Sequence, residues 1–222
     1  MPPPPAQPPP PGAAPPAEYP VRYDVDYPDR ELNRVTSFFR LFTTIPIWIV
    51  LATVAGGNFT VSTGNARYGA AGAGGILVAG PLLMILFRKK YPRWWFDWNV
   101  ELARFQARVG TYFALMNDVY PSTDERQYVR LDIDYPDVER DLQRGMPLVK
   151  WFLAIPHYIV LFFLYIGAIV VVIIAWFAIL FTGRFPRGLF EYLVGVGRWH
   201  WRVAGYAFLL VTDRYPPFQL SP

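Results

Sequence analysis

Apolar residues in this chain gather into long runs, and charged residues cluster between the runs. Residues 38–56 and 68–87 are each close to the roughly 20 residues that an α-helix needs to cross a bilayer. Residues 147–183 are apolar almost throughout and too long for one crossing, which predicts two helices turning near residues 165–168. The pattern therefore predicts an all-α membrane protein with four transmembrane helices in two hairpins. Elsewhere the period changes. Trp95, Trp98, Leu102, Phe105, Val109, Tyr112 and Met116 fall three and four residues apart, which is one stripe of an amphipathic helix. Leu189, Tyr192, Val196, Trp199, Val203, Tyr206 and Leu210 repeat that stripe at the same offsets. Two short stretches alternate with the period of a strand. Val21, Tyr23, Val25 and Tyr27 share one face, with Arg22, Asp24 and Asp26 on the other; Arg130, Asp132 and Asp134 are placed likewise.

These elements come in the same order twice. Residues 21–29 read Val-Arg-Tyr-Asp-Val-Asp-Tyr-Pro-Asp, and residues 129–137 read Val-Arg-Leu-Asp-Ile-Asp-Tyr-Pro-Asp. The match resumes at Ile45-Pro46 and Ile155-Pro156, with Arg40 facing Lys150. It continues at Lys90-Tyr91-Pro92-Arg93 and Arg184-Phe185-Pro186-Arg187. Arg104, Arg108 and Tyr112 match Arg198, Arg202 and Tyr206, and Tyr120-Pro121 matches Tyr215-Pro216. The chain thus divides into a tail over 1–18, one unit over 19–121, a second over 122–217, and a C-terminal tail over 218–222. An even number of crossings per unit gives both units one orientation, related by an axis along the membrane normal.

Composition supports a membrane setting. Apolar residues make up 53% of the chain and charged residues 17%, against roughly 25% charged in ordinary globular domains. Aromatics reach 18%, with eight Trp, and Trp and Tyr collect at membrane interfaces. The absence of Cys excludes disulfides, thiolate metal sites and a Cys nucleophile. The Pro-rich tail has no basic segment followed by an apolar core, so it is not a secretory signal. It reads as a disordered extension or as a docking tail for a proline-binding partner. Of 21 Lys and Arg, only Arg67 falls in a predicted outer loop. Arg34, Arg40, Arg88, Lys89, Lys90, Arg93, Arg144, Lys150, Arg184 and Arg187 flank the opposite ends of the runs. The positive-inside rule then places strands, amphipathic helices and both termini in the cytoplasm of a multi-pass inner-membrane protein.

Few residues suggest chemistry. Antiparallel pairing of the strands with Asp24 opposite Asp132 sets Arg22 opposite Asp134 and Asp26 opposite Arg130. That is a charge ladder joining the two units. Asp24, Asp26 and Asp29 also invite comparison with a carboxylate metal site, but the Gly and terminal Glu of an EF-hand loop are missing. No metal, cofactor or nucleic-acid partner is expected. Arg104 and Arg108 stand one helical turn apart, as do Arg198 and Arg202. They suit lipid headgroups if the helices lie in the interface, or nearby carboxylates if the stripes pack on the spans. His157 is the ionisable residue set deepest in an apolar run, and such groups often serve transport; it equally suits a carbonyl freed by Pro156. His200 stands where the first unit has Gln106. Ala71, Gly75 and Ala79 form a small-residue packing face, and Asn58-Phe59-Thr60 matches a glycosylation sequon. No triad, phosphate loop or dinucleotide motif can be assembled. The expected function is a non-enzymatic accessory or scaffold role in a bilayer, with a homo-oligomer or a membrane protein as partner. A small transporter or channel, or an enzyme using the Asp-rich strands, are the alternatives.

The opening Tyr-Pro-x-Arg-x-Asp-x-Asp-Tyr-Pro at 19–28 and the stretch Pro-Leu-Val-Lys-Trp-Phe-Leu-Ala-Ile-Pro-His-Tyr-Ile-Val at 147–160 carry a resemblance. The chain resembles the bacterial membrane family of domain of unknown function 4389, common in actinobacteria. The resemblance covers the second unit from Val129 to Pro216. The first unit departs from it, with Thr43-Thr44-Ile45-Pro46-Ile47-Trp48 in place of the Ala-Ile-Pro-His-Tyr core. It implies a membrane location and assigns no activity.

Overall fold

A computed structural model of the chain describes residues 19–55, 59–63, 66–70, 74–123, 125 and 127–222, with the backbone alone between 52 and 78. The tail over 1–18, Asn58 of the sequon and Ala71 of the small-residue face lie outside the described residues. Strand β1 (Val21–Val25) pairs antiparallel with β4 (Val129–Ile133). Backbone bonds from Asp26 N to Tyr128 O and from Asp134 N to Pro20 O, each 2.9 Å, extend the ladder at both ends. Alternation holds as expected: Val21, Tyr23, Val25, Val129, Leu131 and Ile133 are all buried. The register differs from the expected one. Arg22 faces Asp132 and Asp24 faces Arg130, which avoids the repulsion of two aspartates set directly opposite each other.

Two amphipathic helices, α4 (Arg93–Phe113) and α7 (Arg187–Ala207), cover the apolar side of this ribbon. Each starts directly after a proline, Pro92 or Pro186. The coverage is crossed: α7 lies on β1 and α4 on β4, so each half's helix covers the other half's strand. Gly197 and Gly205 make the close approach possible. A Cβ on Gly197 would come within 2.4 Å of the Tyr23 ring, and one on Gly205 within 2.6 Å of Val21.

The predicted crossings meet a different outcome. In the second half, α5 (Met146–Leu153) is followed by α6 (Ile155–Thr182), a single helix of 28 residues. No turn occurs at residues 165–168. Gly167, the one residue there that suits a bend, instead admits Tyr192, whose hydroxyl would lie 2.5 Å from a Cβ at that position. In the first half, α1 (Arg34–Phe38) and α2 (Arg40–Ala55) lead to a two-stranded hairpin, β2 (Phe59–Thr63) with β3 (Ala66–Ala70). Helix α3 (Gly74–Leu83) follows and runs into a π-helical turn, Met84–Arg88. Among the described residues only α6 is long and apolar enough to cross a membrane; the apolar parts of the first half, Arg40–Leu51 and Ala79–Arg88, are shorter. Four transmembrane helices in two hairpins are therefore not found. The fold is mostly helical with small two-stranded sheets.

Ile47 and Leu51 of α2 pack on Phe105 and Val109 of α4. Leu161 of α6 packs on Trp199, Val203 and Tyr206 of α7. At 3.6 residues per turn, those α7 positions face away from Gly197, Trp201 and Gly205. The described elements thus stack in three layers: charged ribbon, amphipathic helices, apolar helices.

Candidate functional site

The charged face of the ribbon is where the sequence concentrates its ionisable residues, and the structure closes each of those charges on a partner. Arg22 makes two bonds to the Asp134 carboxylate, at 2.8 and 3.1 Å. Arg130 pairs with Asp26. Both pairs run diagonally between the strands, since the register sets neither pair directly opposite. Asp24 accepts a 2.7 Å bond from Arg198, and Asp132 lies 3.6 Å from Arg104. Arg198 Nε also donates to Tyr23 O at 3.1 Å, and Arg104 Nε to Leu131 O at 2.9 Å. Each amphipathic helix therefore clasps the strand of the other half through an equivalent arginine.

Arg108 and Arg202, one turn on, are buried and bind backbone carbonyls. Arg108 donates to Ser122 O at 2.8 Å and Thr123 O at 3.0 Å. Arg202 donates to Gln219 O at 3.2 Å and Ser221 O at 2.9 Å. All four arginines point into the protein: Arg104 and Arg198 onto the strands and their carboxylates, Arg108 and Arg202 onto the segments that follow their helices. A groove of about 520 Å³ opens beside β1, lined among others by Tyr19, Arg22, Arg130 and Arg198.

Beneath this layer lie two further ion pairs. Arg40 and Asp118 bond at 2.7 Å, and Lys150 and Asp213 at 2.8 Å. Arg40 is 3% exposed and Lys150 fully buried. Each aspartate also caps a backbone amide, Asn33 N for Asp118 at 2.6 Å and Gln143 N for Asp213 at 2.7 Å. Each cation lies over an aromatic ring: Arg40 is 3.9 Å from the Tyr112 centroid and Lys150 is 5.2 Å from that of Tyr206. Lys150 gains a further bond to Thr212 O at 2.7 Å. Burial pulls the Lys150 ammonium below the ordinary lysine range, while the bond and charge of Asp213 act in the opposite direction. Hydropathy and charge spacing do not single out Asp118 or Asp213. The available signal was Asp-x-Tyr-Pro, present at 118–121 and again at 213–216.

His157 is fully buried. Its Nδ1 accepts a 3.0 Å bond from Trp199 Nε1, and Phe218 stacks on the imidazole with ring centroids 4.0 Å apart. The matching residue of the first half, Ile47, packs on the matching helix without a polar bond. His200 bonds Tyr165 at 2.8 Å through Nδ1.

Residues 146–219 match the model of one protein family. Its description is domain of unknown function, DUF4389. The matched segment takes in α5, α6 and α7 with Lys150, His157, Arg198, Arg202 and Asp213, and leaves out both strands of the ribbon. It supports the resemblance drawn from residues 147–160. No curated protein matches the chain. No solved structure matches it either.

Proposed function

We propose that the protein is a non-enzymatic membrane-bound scaffold, built from two copies of one unit. It seats its apolar helix layer in a bilayer and holds its charged ribbon in the cytoplasm. One observation carries this reading: the layer opposite the ribbon is exposed and apolar. Phe162, Phe163 and Phe181 of α6 are 61%, 64% and 77% exposed, and Leu41 and Phe42 of α2 are 67% and 69% exposed. Contiguous apolar surface of this kind marks a membrane or protein contact in a folded protein. A helix that is apolar all round belongs in hydrocarbon or in a core, and the most apolar stretch of α6 is only 11% buried.

The ribbon's carboxylates support a fastening role rather than catalysis. Each of Asp24, Asp26, Asp132 and Asp134 is engaged by an arginine, and these pairs tie strand to strand and helix to strand. The outward sides of Arg22, Arg130 and Asp134 remain accessible to a cytoplasmic partner or to a second copy of the chain. Co-flotation with phospholipid vesicles tests the membrane reading. The wild-type chain rises with the vesicles, and Phe163→Asp combined with Ile166→Asp lowers the floated fraction severalfold. A wild-type chain left at the bottom of the gradient overturns it.

A further inference from the structure

We propose that α6 lies in the plane of one leaflet and does not cross the bilayer, so that both of its ends stay on the cytoplasmic side. This rests on the membrane-bound reading above and adds an orientation to it.

The first ground is α7, which runs antiparallel beside α6. Tyr192 Oη donates to Leu164 O at 3.0 Å, and Trp199 reaches His157 further along. A crossing α6 would draw α7 into hydrocarbon together with Arg198, and Arg198 holds β1 through Tyr23 O and Asp24. Charged groups at that depth are costly. The second ground is that both ends of α6 are tied to the polar layers. At its start, Lys150 holds Asp213, Trp151 Nε1 donates to Ala207 O at 2.7 Å, and Tyr215 Oη donates to Leu153 O at 3.0 Å. At its end, Leu32 N donates to Gly183 O at 2.8 Å and Tyr27 Oη to Phe185 O.

The occupant of the exposed face is lipid, and charge complementarity argues for it. Arg144 precedes α5, while Arg184 and Arg187 follow α6. Arg88, Lys89 and Lys90 close the matching element of the first half. Cations at both ends of an in-plane apolar helix meet the phosphates of a single leaflet.

The chain has no cysteine, so single cysteines report without background. Arg144→Cys, Val170→Cys and Arg184→Cys replace exposed residues before, within and after the long helix. Each full-length variant is expressed in bacteria, and right-side-out and inverted membrane vesicles are treated with a membrane-impermeant maleimide. The expected result is labelling at 144 and 184 in inverted vesicles alone, with 170 protected in both until detergent is added. Labelling of 144 and 184 in opposite vesicle types overturns the in-plane orientation, and so does labelling of 170 without detergent. Recovery of the wild-type chain in the soluble fraction, its apolar face covered by a second copy, overturns the membrane-bound reading itself and is told apart by that fractionation.

Discussion

The two halves of the molecule solve the same packing problem with different helices. In the second half the apolar layer is one uninterrupted helix, α6. In the first it is two, α2 and α3 with its π-helical turn, separated by the β2–β3 hairpin. The footing is nevertheless the same. Ile47 and Leu51 meet Phe105 and Val109, where His157 and Leu161 meet Trp199 and Val203. Ile85 and Ile179, near the far ends, are both fully buried in the shared core. Positions on the amphipathic helices thus fix where apolar helices rest, while the chain between those contacts is free to lengthen. The buried cations follow the same rule, with Arg40 and Lys150 fulfilling one role by different chemistry.

That difference in chemistry sets the largest expected effect. Asp118→Ala strands Arg40, which cannot shed its proton, and unpaired buried charges cost about 3–5 kcal/mol. Asp213→Ala strands Lys150, which can deprotonate, so its loss of unfolding free energy in detergent is the smaller of the two. Equal losses would remove the distinction between the halves. Next come the clasps. Arg198→Met and Arg104→Met each cut a charged hydrogen bond to the opposite strand, at about 1.5–3 kcal/mol. Similar losses from the two variants, read by the same denaturation, confirm that the clasps are equivalent.

A third effect concerns sizes across the ribbon. Tyr23 and Gly197 in one half-site stand where Leu131 and Ala103 stand in the other. Gly197→Ala drives a Cβ into the Tyr23 ring and costs about 1–3 kcal/mol by overpacking. Combined with Tyr23→Leu, the total falls short of the sum of the single changes; strict additivity would show that the two sites are not in contact. The smallest effect belongs to the diagonal pair Arg22 and Asp134, both partly exposed. Arg22→Ala lowers stability by less than about 1 kcal/mol, and the loss shrinks as salt is raised.

Much of this was legible beforehand. Alternation of Val21, Tyr23 and Val25 with charged neighbours specifies a half-buried strand wherever it occurs, and the matching stretch at 129–133 offers its partner. Most of each stripe of α4 and α7 is equally plain in the apolar spacing, but Met116 and Leu210 fall beyond the helix ends, and the face set on the ribbon through Gly197 and Gly205 lies opposite Trp199 and Val203. Register was not legible, because β1 and β4 carry the same charges and several offsets pair unlike signs. The decisive groups, Arg104 and Arg198, come from helices far along the chain. The long apolar run at 147–183 has the length of a hairpin but folds largely as one helix, and length alone does not separate the two. Gly167, the residue there that suits a bend, packs against Tyr192 of α7, a contact that local pattern does not encode. The pairing of Lys150 with Asp213 was hidden for the same reason.

The proposed arrangement sets the ribbon and the apolar layer against opposite media. Spin labels placed singly at Val170 and at Arg130 in vesicle-bound protein test it directly, by comparing relaxation enhancement from oxygen and from a water-soluble nickel chelate. In that arrangement the label at 170 responds to oxygen and is shielded from nickel, while the label at 130 does the reverse. Equal access of nickel to both positions would contradict it.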